Sequence, residues 1–263
     1  SGDVLVSADA SQDIVGIGAA GAAGGSAALA GGVSVIDVTS ATTARLDGTV
    51  VAQGNVDVLA DDTTRTAVVA GALAIGSTGI GAAVSVVNID KEISAQIAAG
   101  ASVTALGRRG NHRVFTGDDF SDVRTASRGV NVQTNSAQSG FTLGVAGAAG
   151  GVGIAGVVAV YLMDVDNQAS IGNNATINTA GGNATANEAQ DVVVTARDET
   201  VTSVAAGGVA VGLGAGLAGV VDVGVFKNTA AATIGNNVTL NAERDVLVNG
   251  LSNKAGEAYV IGA

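Results

Sequence analysis

Short hydrophobic runs recur along this chain and are separated by polar or glycine-rich stretches. The clearest run is a four-residue, valine-rich anchor that occurs five times, at residues 3–6, 55–58, 129–132, 191–194 and 245–248. Short runs of Val, Ile and Thr bounded by Gly, Asn and Asp are typical of strands rather than helices. The pattern therefore predicts an all-β protein.

The anchors mark a repeat with a basic spacing of about 52 to 54 residues. We assign one structural unit with four repeats and a partial fifth, at residues 2–53, 54–107, 129–182, 190–243 and 244–263. After each anchor a polar stretch predicts a bend, at 9–13, 61–65, 135–139 and 197–200. A long Gly/Ala/Val segment follows and ends in a second strand. Equivalent strands of successive repeats are expected to stack as a parallel β-helix (β-solenoid) with two rungs per repeat; one very wide rung or three narrow ones are the alternatives.

The Gly/Ala/Val segments are apolar on both faces of the predicted strands. In residues 69–75 and 209–213, larger aliphatic side chains alternate with alanine and glycine. A strand of this kind is normally covered on both sides. One face is expected to point into the core, and the other to meet either the same chain or another molecule. Val209, Val211 and Leu213 are the candidates for self-association.

Two other interpretations of the glycine-rich segments fit less well. Gly16, Gly18 and Gly21 match the GxGxxG pattern of dinucleotide-binding proteins, but the pattern recurs out of step with the repeat and no helical crossover follows it. Residues 14–36 carry no charge and are long enough to cross a bilayer as a helix. The glycine content and the scarcity of flanking basic and aromatic residues argue against such a helix.

The composition narrows the possible partners and chemistry. A net charge of −11 argues against a nucleic-acid partner. The absence of cysteine removes disulfides, thiolate metal sites and cysteine nucleophiles, and the absence of proline suits long hydrogen-bonded ladders. The chain starts without a methionine or an export signal, so we expect it to be an excerpt of a longer protein.

Residues 108–128 interrupt the repeat and are interpreted as an insertion, which contains five of the twelve basic residues and the single histidine. Insertions in solenoids often form recognition surfaces. The binding candidates are Arg108, Arg109, His112, Arg113, Phe115 and Phe120. The alternative is a surface loop held by ion pairs between Arg124 and Asp118, Asp119 or Asp122. These three aspartates, and Asp164 with Asp166, are also weak calcium candidates, although neither group has the spacing of a known calcium loop.

No set of residues points to catalysis. β-Helical polysaccharide lyases carry charged clusters on one face, whereas the charges here lie mostly in predicted turns. We therefore expect no enzyme activity, no cofactor and no small-molecule substrate. The repeated Gly-Asn-Asn turns at 172–174 and 235–237 suit left-handed conformations and stacking as an asparagine ladder.

The repeat style resembles the long repeat regions of bacterial filamentous adhesins, large exoproteins of the two-partner-secretion and leukotoxin-like types. The similarity lies in blocks such as AGALAIGSTGIGAAVSVV and AGGVAVGLGAGLAGVVDV followed by turns such as ATIGNNVTL, and it covers the chain outside 108–128. It implies a right-handed β-helical stalk that is exported through an outer-membrane secretion partner and is displayed on the cell surface or released. It also implies a role in attachment or in cell–cell and biofilm contact, with a host or bacterial surface receptor. The alternative is a self-assembling extracellular fibre or sheath subunit.

Overall fold

The computed structural model describes residues 2–115, 124–179 and 185–263. Strands account for 81% of the structure, and no α-helix occurs in these three ranges, which confirms the all-β class. The strands are, in chain order, β1 (Val4–Ala23), β2 (Ala27–Leu46), β3 (Thr49–Ala52), β4 (Val56–Ile75), β5 (Thr78–Ile97), β6 (Ser102–Ala105), β7 (His112–Val114), β8 (Thr125–Ser127), β9 (Gly129–Ile171), β10 (Thr176–Ile177), β11 (Asp191–Ile234), β12 (Thr239–Leu240) and β13 (Val246–Gly262).

Successive repeats pair in parallel, each strand with its equivalent in the next repeat. β1 pairs with β4, β4 with the first half of β9, that half with the first half of β11, and this in turn with β13. β2 pairs with β5, which pairs with the second half of β9 and so leads to the second half of β11. Val4 lies opposite Val56, and Ala23 lies opposite Ile75 at the other end of the same strand pair. Each repeat therefore contributes one wide layer of paired strands, and the prediction of two rungs per repeat is wrong.

The polar stretches that predicted bends lie inside continuous strands. Residues 9–13 belong to β1 and residues 61–65 to β4. Inward-pointing polar side chains in these stretches bond to one another between layers; Thr64 Oγ1, for example, donates to Gln12 Oε1 at 2.9 Å. The chain turns instead at residues 24–26, between β1 and β2, and at residues 76–77, between β4 and β5.

Each layer thus has two long arms. We call β1, β4, residues 129–149 of β9 and residues 191–212 of β11 the first arms; β2, β5, residues 152–171 of β9 and residues 215–234 of β11 are the second arms. Alternate side chains of both arms are buried in a shared core that includes Val58, Val68, Val87 and Ile89. A separate parallel sheet with the order β12-β10-β6-β3 contributes Val103 and Ile177 to the same core.

Glycine is required where the two arms approach each other. A Cβ atom on Gly18 would lie 2.1 Å from the carbonyl oxygen of Val33, and one on Gly32 would lie 2.1 Å from that of Gly71. No side chain fits at such distances, so these glycines allow the arms to pack backbone against backbone. Gly18 belongs to the GxGxxG match, and so does Gly16, where an added Cβ would lie 2.8 Å from Oγ of Ser34 on the facing arm.

The uncharged segment 14–36 runs through β1 and β2 and forms no helix. Among the described residues, no helix has the length and apolar character needed to cross a membrane.

The Gly-Asn-Asn turns have the predicted conformation. Asn174 and Asn237 are in the left-handed region, with φ angles of 58° and 55°. The amide N–H of Asn236 donates to Oδ1 of Asn173 at 2.7 Å, and Nδ2 of Asn237 donates to Oδ1 of Asn174 at 3.4 Å. The asparagine ladder between these two layers is confirmed.

Candidate functional site

The insertion folds back on the first arms as a small antiparallel hairpin of β7 and β8, in which His112 lies opposite Ser127. Residues 116–123 lie outside the described residues, and so do the predicted site residues Phe120, Asp118, Asp119 and Asp122. The site can therefore be built from the two legs of the hairpin and from the strands on which they rest.

His112 connects the insertion to two successive layers. Its Nδ1 forms a close hydrogen bond with Oδ2 of Asp57 in β4, and its Nε2 lies 3.8 Å from Oδ2 of Asp3. Nδ2 of Asn131, in the third layer, donates to Oδ1 of Asp57 at 2.5 Å. Burial raises the pKa of Asp57, and the bonds from Asn131 and His112 oppose that rise. The histidine is half-buried, and its hydrogen bond orients the ring against the outer side of the first arms, which we call the wall.

Phe115 packs against the wall and is not an exposed aromatic. It is 7% exposed, and its ring lies between two guanidinium groups, with Arg124 Cζ 4.3 Å and Arg197 Cζ 4.9 Å from the ring centroid. Nε2 of Gln133 donates to the carbonyl oxygen of Phe115 at 2.7 Å. Stacked cations and a bonded backbone fix this leg of the insertion. The ring of Phe115 is therefore covered by the protein itself, and its predicted role in binding stays a prediction.

The other predicted arginines remain at the surface. Nε of Arg108 donates to the carbonyl oxygen of Thr185 at 2.5 Å, and Nε of Arg113 donates to that of Arg124 at 3.3 Å. Arg109 is exposed, and its carbonyl oxygen accepts a hydrogen bond from Arg128. The structure thus places Arg108, Arg109 and Arg113 on the insertion with exposed side chains, in the same segment as His112.

Opposite His112 on the paired strand lies Ser127, which is buried and donates to Oδ1 of Asn131 at 3.1 Å. Arg124 approaches Asp61 of the wall at 3.9 Å, so at least one ion pair of this arginine is made outside the insertion. The arrangement is suited to holding the insertion in place.

The second pair of weak calcium candidates is engaged with neighbouring side chains. Asp164 lies 3.6 Å from Nζ of Lys227, and Oδ2 of Asp166 accepts a hydrogen bond from Gln168 at 2.8 Å. No group of three or more His, Asp or Glu side chains is placed to hold a metal ion within residues 2–115, 124–179 and 185–263.

Sequence reasoning did not find the buried polar residues between the arms. Asp62 and Lys91 form a fully buried ion pair, and Thr42 Oγ1 donates to Asp62 Oδ2 at 3.0 Å. Burial lowers the pKa of Lys91, against the effect of Asp62. In the anchor, inward and outward residues alternate. If the polar stretch 61–65 is treated as a continuation of the strand, the same alternation predicts that Asp62 points into the core.

A second buried polar group lies two layers further along. Nδ2 of Asn228 donates to Oδ2 of Asp198 and to Oγ1 of Thr200, both at 2.7 Å. Asp198 is aligned with Ser136 of the adjacent layer, and Ser136 with Asp62, so the polar positions form a row through the core. Burial raises the pKa of Asp198, while its hydrogen bond from Asn228 opposes that rise.

The candidates for self-association point away from the core. Val209, Val211 and Leu213 are 48%, 61% and 98% exposed. They lie where the fourth first arm approaches its turn, so the predicted outward apolar face exists at these positions.

No family model, curated protein or solved structure matches the chain.

Proposed function

We propose that this chain is a rigid, non-catalytic segment of a filamentous adhesin stalk, built as a closed, right-handed parallel β-helix with one layer per repeat. The observation that supports this most strongly is the pairing of every long strand with its equivalent in the next repeat, at constant register over about 20 residues in the first two layers. Backbone ladders of this length resist bending because many parallel hydrogen bonds must break together.

The order of elements along the chain supports closure. A first arm, a second arm and a short strand occur in sequence in each of the four repeats, and all three contribute side chains to one core. The chain then returns to the start of the next first arm. A helical path of this kind lengthens by one layer, about 4.8 Å, for each added repeat.

The insertion is proposed as the surface that meets a host or bacterial receptor. Arg108, Arg109 and Arg113 are exposed on it, and His112 and Phe115 anchor it to the wall. Export through an outer-membrane partner and display at the cell surface belong to the same proposal, since they come from the resemblance to filamentous adhesins.

Cryo-electron microscopy of the parent protein tests the proposal. Single thin rods in which each repeat advances the structure by about 4.8 Å are the expected result. Globular particles, or rods with any other advance per repeat, would contradict the stalk.

A second candidate function is self-assembly into an extracellular fibre or sheath. It is favoured by the exposure of Val209, Val211 and Leu213 in one apolar strand segment. The same micrographs distinguish it, since a fibre subunit would form lattices or bundles in which copies touch along their sides.

A further inference from the structure

The outward-pointing residues of the second arms repeat from layer to layer, although packing of the core does not require them to do so. Each of four layers presents the same outward sequence, which is a leucine or isoleucine, a glycine or alanine, a valine and a second valine. These residues occupy alternate positions of 29–35, 80–86, 154–160 and 217–223. We call this surface the valine face.

The pairing register aligns the equivalent residues into columns. Val33 lies opposite Val84, Val84 opposite Val158, and Val158 opposite Val221. The columns therefore form straight ridges that run across the layers. Between the Leu/Ile ridge and the first valine ridge lies a groove, and at Gly31, Gly156 and Gly219 an added Cβ would meet nothing within 4 Å.

We infer that the valine face is a lateral interface with a second copy of this chain. A ridge of one copy fits the groove of the other, and both surfaces repeat at the same layer spacing of about 4.8 Å. Because both copies have the same layer spacing, each layer of one copy can contact an equivalent layer of the other along the whole face. The inference rests on the second candidate function, self-assembly, but it places the contact on the second arms and not at Val209, Val211 and Leu213.

The size of the face suits a weak contact that strengthens with rod length. Four columns about 6.7 Å apart and four layers about 4.8 Å apart cover roughly 500 Å² in projection. Two copies would together bury about 1,000 Å², the lower limit for a specific interface. Each further repeat would extend both faces, so long rods would adhere more tightly than this chain.

The charges around the face favour another copy over a lipid surface. The face itself is uncharged. The next outward column contains Asp37, Asn88, Leu162 and Val225, and the column beyond it contains Thr39, Asp90, Asp164 and Lys227. An apolar centre with a polar rim is the usual anatomy of a protein interface. A membrane-binding surface would instead carry basic and aromatic anchors.

The outer side of the first arms is less suited to flat contact. The insertion lies on that side, where Phe115 covers Arg197 and Arg124 approaches Asp61. One of its columns alternates between small and large residues, through Gly21, Leu73, Gly147 and Val209, and the aliphatic column of Ile17, Val69 and Leu143 reaches only an alanine, Ala205, in the fourth layer. Val209 is exposed there, but it does not belong to a continuous ridge.

Sedimentation velocity of the full 263-residue chain tests the inference with two matched double variants. Val158→Glu with Val221→Glu places charges in the valine face, and Val145→Glu with Val209→Glu places them at similarly exposed positions of the first arms. The unaltered chain and the first-arm variant are expected to associate with increasing concentration. The valine-face variant should show an association constant at least about tenfold lower. Circular dichroism verifies that each variant keeps its strands.

Each other outcome overturns the inference in a distinguishable way. A chain that stays monomeric at all concentrations contradicts both the inference and self-assembly. Loss of association only in the first-arm variant leaves self-assembly in place but moves the contact to the other face. Equal association of all three proteins places the contact at the strand edges. Binding of the unaltered chain to phosphatidylglycerol vesicles without self-association identifies a membrane surface instead.

A second measurement applies if a double variant fails to fold. The chain has no cysteine, so Val221→Cys and Val209→Cys each introduce a single thiol at a half-exposed site. The inference predicts a disulfide-linked dimer on oxidation of the Val221→Cys protein and little or none for Val209→Cys. The reverse result contradicts it.

Discussion

The most consequential individual residues are polar side chains placed inside an otherwise aliphatic core. Asp62 and Lys91 neutralise each other there, and Thr42 and Thr64 surround the carboxylate. Such a pair contributes little net stability compared with packed aliphatic residues, but leaving one charge alone is costly. The pair joins the first and second arms of one layer, so it favours a single relative position of the two.

Removing one partner of this pair should destabilise the protein strongly. Lys91→Met leaves the Asp62 carboxylate buried without its counter-ion, and we expect a loss of about 3–5 kcal/mol in the free energy of unfolding. The control is Asp62→Leu combined with Lys91→Met, which should recover most of that loss. Urea unfolding followed by circular dichroism measures both. Equal destabilisation by the single and double variants would show that the charges are not the cause.

The sequence predicted some residue roles and missed others for identifiable reasons. The asparagine turns were predictable because Asn and Gly are the residues that accept positive φ. The burial of Phe115 was not predictable, because Arg197, one of the two arginines that contact its ring, is distant in sequence. An aromatic in a basic, apparently exposed segment gives no local sign that it is covered.

At the level of elements, glycine sets how closely the two arms approach. Gly31 and Gly32 are neighbours in β2 but point to opposite sides. A Cβ on Gly32 would lie 2.1 Å from the carbonyl oxygen of Gly71, whereas one on Gly31 would meet nothing within 4 Å. The two positions form a matched pair for testing the packing.

Gly32→Ala is expected to lower the free energy of unfolding by about 1–3 kcal/mol, since the arms must separate to admit the methyl group. Gly31→Ala should be neutral or stabilise the protein by up to about 1 kcal/mol, because alanine restricts the unfolded chain. Thermal and urea unfolding of both variants provide the comparison. Similar losses in the two proteins would mean that close approach of the arms is not what requires glycine.

The positions of the strands could be predicted better than their lengths. The anchors and the repeat period emerged from valine-rich runs that recur in every unit. The predicted bends were wrong because polar residues such as Asp62 and Thr64 indicate solvent when their partners are unknown. Their partners lie in another layer or on another arm, as Gln12 and Lys91 show, and a single sequence does not display these contacts.

For the whole molecule, buried acidic groups determine how stability depends on pH. Burial raises the pKa values of Asp57, Asp61 and Asp198. Between the ordinary aspartate pKa of about 3.8 and these raised values, the folded protein binds more protons than the unfolded chain. Stability from these groups therefore increases as the pH falls through that window. Reduction of the net charge of −11 acts in the same direction.

We predict that the thermal unfolding midpoint rises as the pH is lowered from 7 towards the ordinary aspartate pKa of about 3.8, by about 2–4 °C, which corresponds to roughly 1 kcal/mol for a protein of this size. Asp198→Asn is the control, since it removes one titrating group while keeping an oxygen that can accept from Asn228. The rise should be smaller in that variant. A midpoint that falls steadily as the pH is lowered from 7 to about 4 would contradict this account of the buried aspartates.

The central claim is that each repeat adds a single layer to a continuous rod, whether the repeat has 52 residues, as between Val4 and Val56, or 74, as between Val56 and Val130. Thr49, Ser102, Thr176 and Thr239 are successive partners in the short-strand sheet, so Thr49 and Thr239 are three layers apart. Both are exposed, and the chain has no cysteine to compete for labels. The most direct test is pulsed electron spin resonance on Thr49→Cys with Thr239→Cys, diluted with unlabelled chain. One layer per repeat predicts a distance near 14 Å, whereas two rungs per repeat would give about 29 Å and contradict it.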